Sequence, residues 1–291
     1  MSKGTPSRAR KNALIGVAAA VAAVGLSGCA EGIENGALPS TPEITNQTGR
    51  IIELWNGSWI AALIVGVITW GLILWCIAVY RKRKGDEKLP VQTRAHLPLE
   101  LMYTAVPLIM IAVLFKFTVE DLAEIRDTSA KPDITIEAIG KQWSWDFNYT
   151  DDDTYTAGVQ AKLTGEEGVE EQLPTLYLPV NERVEFHVLS RDVIHSFWIP
   201  AFLYKIDAVP GHPNEFQVIP TKEGTYRGKC AELCGQYHAS MLFNVKVVSR
   251  EEFDAHMQDL RDAGNSGQLG FEYSRDQVVR ITQDQAHEEG E

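Results

Sequence analysis

The chain has 291 residues, 45% of them hydrophobic, and 39 acidic against 27 basic side chains give it a formal net charge of -12. That length allows one or two domains. The negative balance argues against a nucleic-acid binder, whose phosphates would be repelled, and suits a basic protein partner instead. The apolar residues are unevenly spread and concentrate in three N-terminal runs.

The first run has the form of an export signal. Lys3, Arg8, Arg10 and Lys11 make a positive stretch, an apolar Ala/Val segment covers 13–26, and small residues follow. The string LSGC at 26–29 resembles the lipobox of bacterial lipoproteins. By that resemblance residues 1–28 are a signal peptide and Cys29 is the lipidated N-terminus held in membrane lipid. The competing reading is an uncleaved anchor with an incidental cysteine. Residues 29–57, rich in Gly, Pro, Thr and Asn over 30–50, read as an exported, exposed linker.

Residues 58–80 are apolar and uncharged, and about twenty such residues span a bilayer. Trp55, Trp59, Trp75 and Tyr80 sit near the ends, where amphipathic aromatics favour the interface. The basic block RKRK at 81–84 should stay cytoplasmic. A second span, 97–119, contains Glu100, Pro107 and Lys116, the last able to snorkel outward. The expectation is a two-helix transmembrane hairpin over 58–119 in a bacterial cytoplasmic membrane, with everything after Glu120 outside.

Beyond Ile134 the pattern alternates. Apolar residues fall at every second position over 134–139 and 184–188, and similarly at 217–219 and 243–248, the period of half-buried strands. Pro179, Pro210, Gly211, Pro220 and Gly224 break them. Residues 120–248 therefore read as a small β-sandwich or barrel. The acidic stretch 151–171 reads as a surface loop or hairpin. Residues 249–291 read as a polar, acidic tail with one helix near 251–261, much of it mobile. The fold class is α+β.

The chemistry concentrates in CAELCGQYHASM at 230–241. Cys230 and Cys234 have three residues between them, three more precede His238, and Met241 closes the run. Two thiols, an imidazole and a thioether are soft or borderline donors that select copper. Zinc competes, because paired cysteines are a common zinc signature, but methionine is a poor zinc ligand. A disulfide also competes in an exported protein. The late loop lacks a second nitrogen ligand, and His195, bracketed by apolar and aromatic residues, supplies the candidate; the alternative is a buried structural histidine. His96, His187, His212, His256 and His287 stay unassigned. This donor set exceeds the His₂Cys plus weak Met of a single blue copper, and the surplus cysteine has a purpose if both sulfurs bridge two coppers. Such a pair spreads each bond-length change thinly, which suits an electron port.

Together with GKQWSW at 140–145, DVIHS at 192–196 and KIDAVPG at 205–211, these motifs closely resemble subunit 2 of cytochrome c oxidase in the haem–copper family, from the first span to about Val248. The resemblance implies a cupredoxin-like domain carrying the dinuclear copper centre CuA. It implies His195, Cys230, Cys234, His238 and Met241 as side-chain ligands, and Glu232 as a backbone-carbonyl ligand. The Glu232 carboxylate would also ligate a Mg²⁺ shared with the large subunit, as a hard cation prefers. Trp143 would receive electrons from cytochrome c, soluble or membrane-tethered. Glu100 would open a proton pathway into the large subunit, or else be a solvated cap. The partners implied are the oxidase large subunit, which reduces oxygen with proton translocation, and the other oxidase subunits. Lys141 stands where many relatives have histidine, Ser144 replaces an aromatic, and the 151–171 insertion looks long; all three surround the donor-facing side. A free-standing electron carrier or copper-storage lipoprotein is the competing class, but it leaves the two spans unexplained. A quinol oxidase subunit would lack the copper ligands, and nitrous oxide reductase needs a propeller domain. No C-x-x-C-H haem motif is present.

Overall fold

The computed structural model describes residues 35–82, 85, 89, 91–162 and 169–270. The chain divides into two units, Met1–Leu38 and Pro39–Glu291. In the first, residues 35–38 form a turn in which Leu38 N donates to Asn35 O at 3.1 Å. Cys29 lies outside the described residues.

The second unit begins with two helices, α1 (Thr48–Val79) and α2 (Leu97–Ile125), both long and apolar enough to cross a membrane. Their Leu, Ile, Val and Trp side chains are largely exposed, with Leu72 at 61% and Ile111 at 63%. Apolar surface on this scale marks a membrane or protein contact. At 32 residues α1 is roughly 48 Å long, against a hydrocarbon core of about 30 Å. Its first turns therefore extend beyond the apolar run. They belong to what the sequence suggested was linker.

That linker reading needs correction over 39–57. Thr48 N donates to Thr45 Oγ1 and Thr45 N to Thr48 Oγ1, both at 3.2 Å, a reciprocal pair at the entry to α1, which starts ten residues earlier than hydropathy suggests. Hydropathy responds to apolar side chains and misses the polar first turns. Just upstream, Asn46 N donates to Ile219 O and Ile219 N to Asn46 Oδ1, and Ile44 and Thr45 are buried. Residues 43–48 are thus tied to the sandwich. Arg50 on α1 pairs with Asp121 on α2 at 3.0 Å, joining the helix ends nearest that domain.

Among the described residues ten strands follow: β1 (Ile134–Lys141), β2 (Ser144–Tyr149), β3 (Thr154–Thr156), β4 (Thr175–Pro179), β5 (Val184–Ser190), β6 (His195–Ile199), β7 (Tyr204–Ala208), β8 (Asn214–Val218), β9 (Gly224–Cys230) and β10 (Leu242–Val248). They form two five-stranded sheets, β3-β2-β1-β5-β8 and β4-β10-β9-β6-β7. Each sheet is mixed, with β1 parallel to β5 and β10 parallel to β4. Between the sheets lie Trp145, Phe147, Phe186, Phe197 and Phe243, all 2% exposed or less. Phe197 stacks on Phe243 at 5.1 Å and meets Trp145 edge-on at 5.4 Å. Alternation places these rings inward, and their burial is the main force holding the sheets together. This is the two-sheet sandwich expected from the alternating pattern, and it agrees with the cupredoxin-like domain that the resemblance implies.

Of the two polar segments, 151–171 starts with the hairpin expected of it, β3 lying antiparallel to β2, whereas the tail needs correction. Within 151–171, Thr154–Thr156 joins the first sheet as β3, Asp151 Oδ2 accepts from Thr135 N at 2.6 Å, and Asp152 pairs with Arg261 at 3.0 Å. Residues 249–270 belong to the domain and not to a mobile tail. Helix α3 (Arg250–Asp262) is capped by Ser249 Oγ accepting from Glu252 N, and it buries Phe253, Met257 and Leu260. Those three side chains recur at helical spacing along one face, so a helix polar overall docks by a single stripe.

Candidate metal centre

His195 opens β6 and Cys230 ends β9, and the antiparallel pairing of these strands sets Phe197 opposite Cys230. The ligand loop leaves Cys230 and returns at Met241, closed at its neck by Cys230 N donating to Met241 O at 3.0 Å. Ala231 N also donates to Ser196 O at 3.0 Å, fastening the loop to the strand that carries His195. A short 3₁₀ turn, His238–Ser240, brings His238 back toward Cys234.

The result is a convergence of five side chains. Cys230 Sγ lies 3.9 Å from Cys234 Sγ. Cys230 Sγ is 3.8 Å from His195 Nδ1, and Cys234 Sγ is 3.6 Å from His238 Nδ1. Met241 Sδ is 3.8 Å from Cys234 Sγ, and Glu232 O is 3.2 Å from Cys230 Sγ. Each sulfur thus has its own imidazole nitrogen and its own additional donor. The sulfur separation is nearly twice a covalent S–S bond, and both cysteines are free thiols. Among the described residues, His195, Cys230 and Cys234 form the one cluster of three metal-binding groups drawn from His, Cys, Asp and Glu. His195, Cys230, Cys234 and Met241 are buried. Soft sulfur with imidazole in a dry pocket fits copper.

The ring of His195 is aimed by Asp192. Asp192 Oδ1 lies 2.8 Å from His195 Nε2, leaving Nδ1 directed at the sulfur. The same carboxylate accepts from Val193 N and Gln142 N, both at 2.7 Å. Burial would raise the Asp192 pKa, but these hydrogen bonds outweigh it and hold the carboxyl below its ordinary range. Burial likewise opposes charge on His195, yet Asp192 and Cys230 raise its pKa overall. Burial also disfavours a thiolate at Cys230, but His195 and the backbone of Glu232 and Ser196 bring that thiol down to about 7. Burial and the neighbouring Cys230 sulfur push Cys234 up to about 12. The metal-free pair therefore holds one readily lost proton and one retained proton, and metal binding by both sulfurs must release them.

Trp143 sits in the turn between β1 and β2, half-buried against the ligand loop. Its ring meets Tyr237 edge-on at 4.9 Å. Gly235, at φ 129°, passes so close that a Cβ there would lie 3.1 Å from the indole Nε1. Gln142 Nε2 donates to Cys234 O at 2.7 Å, tying this turn to the second cysteine. Trp145, two residues on, is fully buried in the core. Glu232 points its carbonyl inward and exposes its side chain. Glu100 is remote from this cluster, at the start of α2, where its Oε1 accepts from His96 N at 2.8 Å.

Two positioning residues are not marked by the sequence. Asp192 stands there only as part of a motif. Gly140 has no signal of its own, yet a Cβ there would fall 2.8 Å from His195 Cδ2, so the imidazole occupies the space a side chain would need. Gly140 carries no local pattern, and only its packing against His195 on β6 reveals it; Asp192 is three residues from His195 and reaches its ring across the β5–β6 loop.

A two-sheet sandwich preceded by two long apolar helices, with a thiol–imidazole–thioether cluster on a late loop, fits a membrane-anchored protein with a copper-compatible site. Residues 134–248 match the family described as cytochrome C oxidase subunit II, periplasmic domain. The chain is 44% identical over 257 residues to the probable cytochrome c oxidase subunit 2 of Streptomyces avermitilis, covering 77% of this chain and 79% of the relative. It is 35% identical over 308 residues to cytochrome c oxidase subunit 2 of Mycobacterium tuberculosis, covering 89% and 84%. Among solved structures, the periplasmic domain of subunit II of cytochrome oxidase (CoxB) of Bradyrhizobium japonicum is 35% identical, covering 46% of this chain and 97% of that one, with a TM-score of 0.40. The chain belongs to the cytochrome c oxidase subunit 2 family.

Proposed function

We propose that this chain is the electron-accepting subunit of its oxidase. In this reading it takes electrons from cytochrome c at a dinuclear CuA centre and passes them to the large subunit that reduces oxygen to water with proton translocation. One observation carries the reading: two sulfurs 3.9 Å apart, each with its own imidazole nitrogen at 3.8 or 3.6 Å. When bound, two coppers would supply a one-electron acceptor with little reorganisation. Cys230 and Cys234 would hold both ions, His195 and His238 would each supply an imidazole nitrogen, and Met241 and the Glu232 carbonyl would be the weaker additional donors. Trp143, lying against the loop, receives the incoming electron, while the buried cluster excludes water.

The remaining roles rest on the same reading. The exposed Glu232 carboxylate shares a Mg²⁺ with the large subunit, and Glu100 opens a proton pathway from the cytoplasmic end of α2. The two helices cross the bacterial cytoplasmic membrane as a hairpin, and Cys29 carries lipid after removal of residues 1–28. The test is metal counting with electron paramagnetic resonance on the full chain purified in detergent. Two coppers sharing one unpaired electron, with intense thiolate colour, are expected; one copper, or tight zinc in place of copper, would overturn the reading.

Met241→Leu should retain both coppers and shift the reduction potential upward, because only a weak donor is lost. Leucine nearly conserves the volume of this buried side chain, so the stability cost should stay below about 1.5 kcal/mol. Potentiometry and thermal melting check the two parts separately. Loss of one copper would show that the thioether contributes more than a weak bond.

A further inference from the structure

Strand β2 is buried on both faces, although Ser144, Asp146 and Asn148 alternate with its core aromatics. The outward face is covered in part by residues 265–270, a strap that follows α3. Tyr155 N donates to Asn265 O at 3.1 Å, and Gly267 N to Asp153 O at 2.8 Å. Leu269 N donates to Asn148 Oδ1 at 3.0 Å, and Asn148 Nδ2 returns a bond to Leu269 O at 3.2 Å. The strap ends on Arg191, whose side chain is only 4% exposed.

A buried guanidinium costs several kcal/mol unless its donors are paired, so the partners of Arg191 are informative. Nε lies 3.4 Å from Oδ2 of the buried Asp146, Nη2 donates to Leu269 O at 3.1 Å, and Nη1 donates to Gly270 O. The backbone N of Arg191 donates to Gly140 O at 2.9 Å, and Gly140 is the residue that abuts the His195 ring. The next residue, Asp192, holds both His195 Nε2 and Gln142 N. Asp146 also pairs with Lys141 at 2.6 Å, on the strand that leads into the Trp143 turn.

We propose that residues 265–270, acting through Arg191, position the metal centre: the strap fixes the 190–193 corner whose Asp192 aims His195 and anchors the Trp143 turn. The planar guanidinium suits this task because its donors form a rigid fork, so one side chain transmits the position of two strap carbonyls and a carboxylate. Lysine would keep the charge but not the fork.

The test uses three variants of the full chain: truncation after Gly264, truncation after Gly270, and Arg191→Lys. In metal-free protein, hydrogen exchange at the Gln142 and Val193 amides reports the Asp192 hold directly. In copper-loaded protein, affinity, reduction potential and hyperfine pattern report the ligand geometry. Truncation after Gly264 should accelerate exchange at both amides, shift the potential and lower copper affinity by roughly 10–100-fold, the range for loss of an outer-shell partner. Arg191→Lys should move the same readouts in the same direction, whereas truncation after Gly270 should match the full chain. The proposal fails if the Gly264 truncation folds with both amides and the potential unchanged, or if both truncations give the same shift. Should Arg191→Lys not fold, the two truncations still decide, because they leave the buried guanidinium in place.

Discussion

Serine at Cys230 or at Cys234 is expected to abolish the dinuclear centre, with copper content falling to one ion or none and the shared-electron resonance lost. Both sulfurs lie within 4 Å of an imidazole nitrogen and of each other, so neither is spare. A hydroxyl is a hard donor that stays protonated near neutral pH, and it cannot replace a bridging thiolate for a soft ion. The loss of affinity should exceed the roughly 10–100-fold that removal of an outer-shell partner costs. The fold should survive, because serine is slightly smaller than cysteine and the core aromatics are untouched; circular dichroism checks that point. If either serine variant kept a full mixed-valence spectrum with two coppers, the bridging assignment would be wrong. The two sites also differ in their metal-free chemistry. Cys230, held near 7, should be alkylated faster at neutral pH than Cys234, pushed to about 12.

Trp143→Gln should slow reduction of the copper centre by its donor by orders of magnitude while leaving the copper spectrum and donor binding nearly unchanged. The indole lies against Gly235 and Tyr237 of the ligand loop, and the adjoining Gln142 side chain bonds to the Cys234 carbonyl. Removing the ring takes away electronic coupling without touching a ligand. Stopped-flow reduction measured beside equilibrium binding separates the two effects. A variant that is reduced at the normal rate would move the port to Tyr237 or to the ligand loop itself. Docking is tested at a different place. Asp151 and Asp152 serve internal contacts, so reversing them would confuse stability with binding. Glu171 is exposed. Glu171→Lys should weaken binding of a basic donor at low salt, and the difference should fade as the Debye length contracts to about 3 Å at 1 M.

Much of the candidate site was legible because its chemistry is written in one short string. Cys230, Cys234, His238 and Met241 fall within twelve residues, and soft donors at that density have few uses outside metal binding. His195 was recoverable only by asking where a second nitrogen could come from, since a lone histidine in an apolar strand is ordinarily structural. Alternation likewise revealed β1, β5 and β10, whose inward residues are large and apolar. It does not mark β2, where Ser144, Asp146 and Asn148 alternate with core aromatics and are nevertheless covered by the strap and the Val159 carbonyl.

By itself the sequence determined the two apolar spans, the sandwich class and the identity of the donor atoms, because each depends on residues that are neighbours along the chain. A run of about twenty apolar residues must leave water wherever it occurs, and a thiol remains a soft donor in any fold. Tertiary structure alone decided the start of α1 at Thr48, the double burial of β2, the incorporation of residues 249–270 into the domain, and the aim of His195 through Asp192 and Gly140. Several of those features join positions tens of residues apart, such as Arg191 with Leu269 and Asn46 with Ile219, and the Asp192 that reaches His195 three residues on is held by Gln142 fifty residues away. Their free energy arises from groups that meet only after the sheets close, so no local pattern in the chain encodes them.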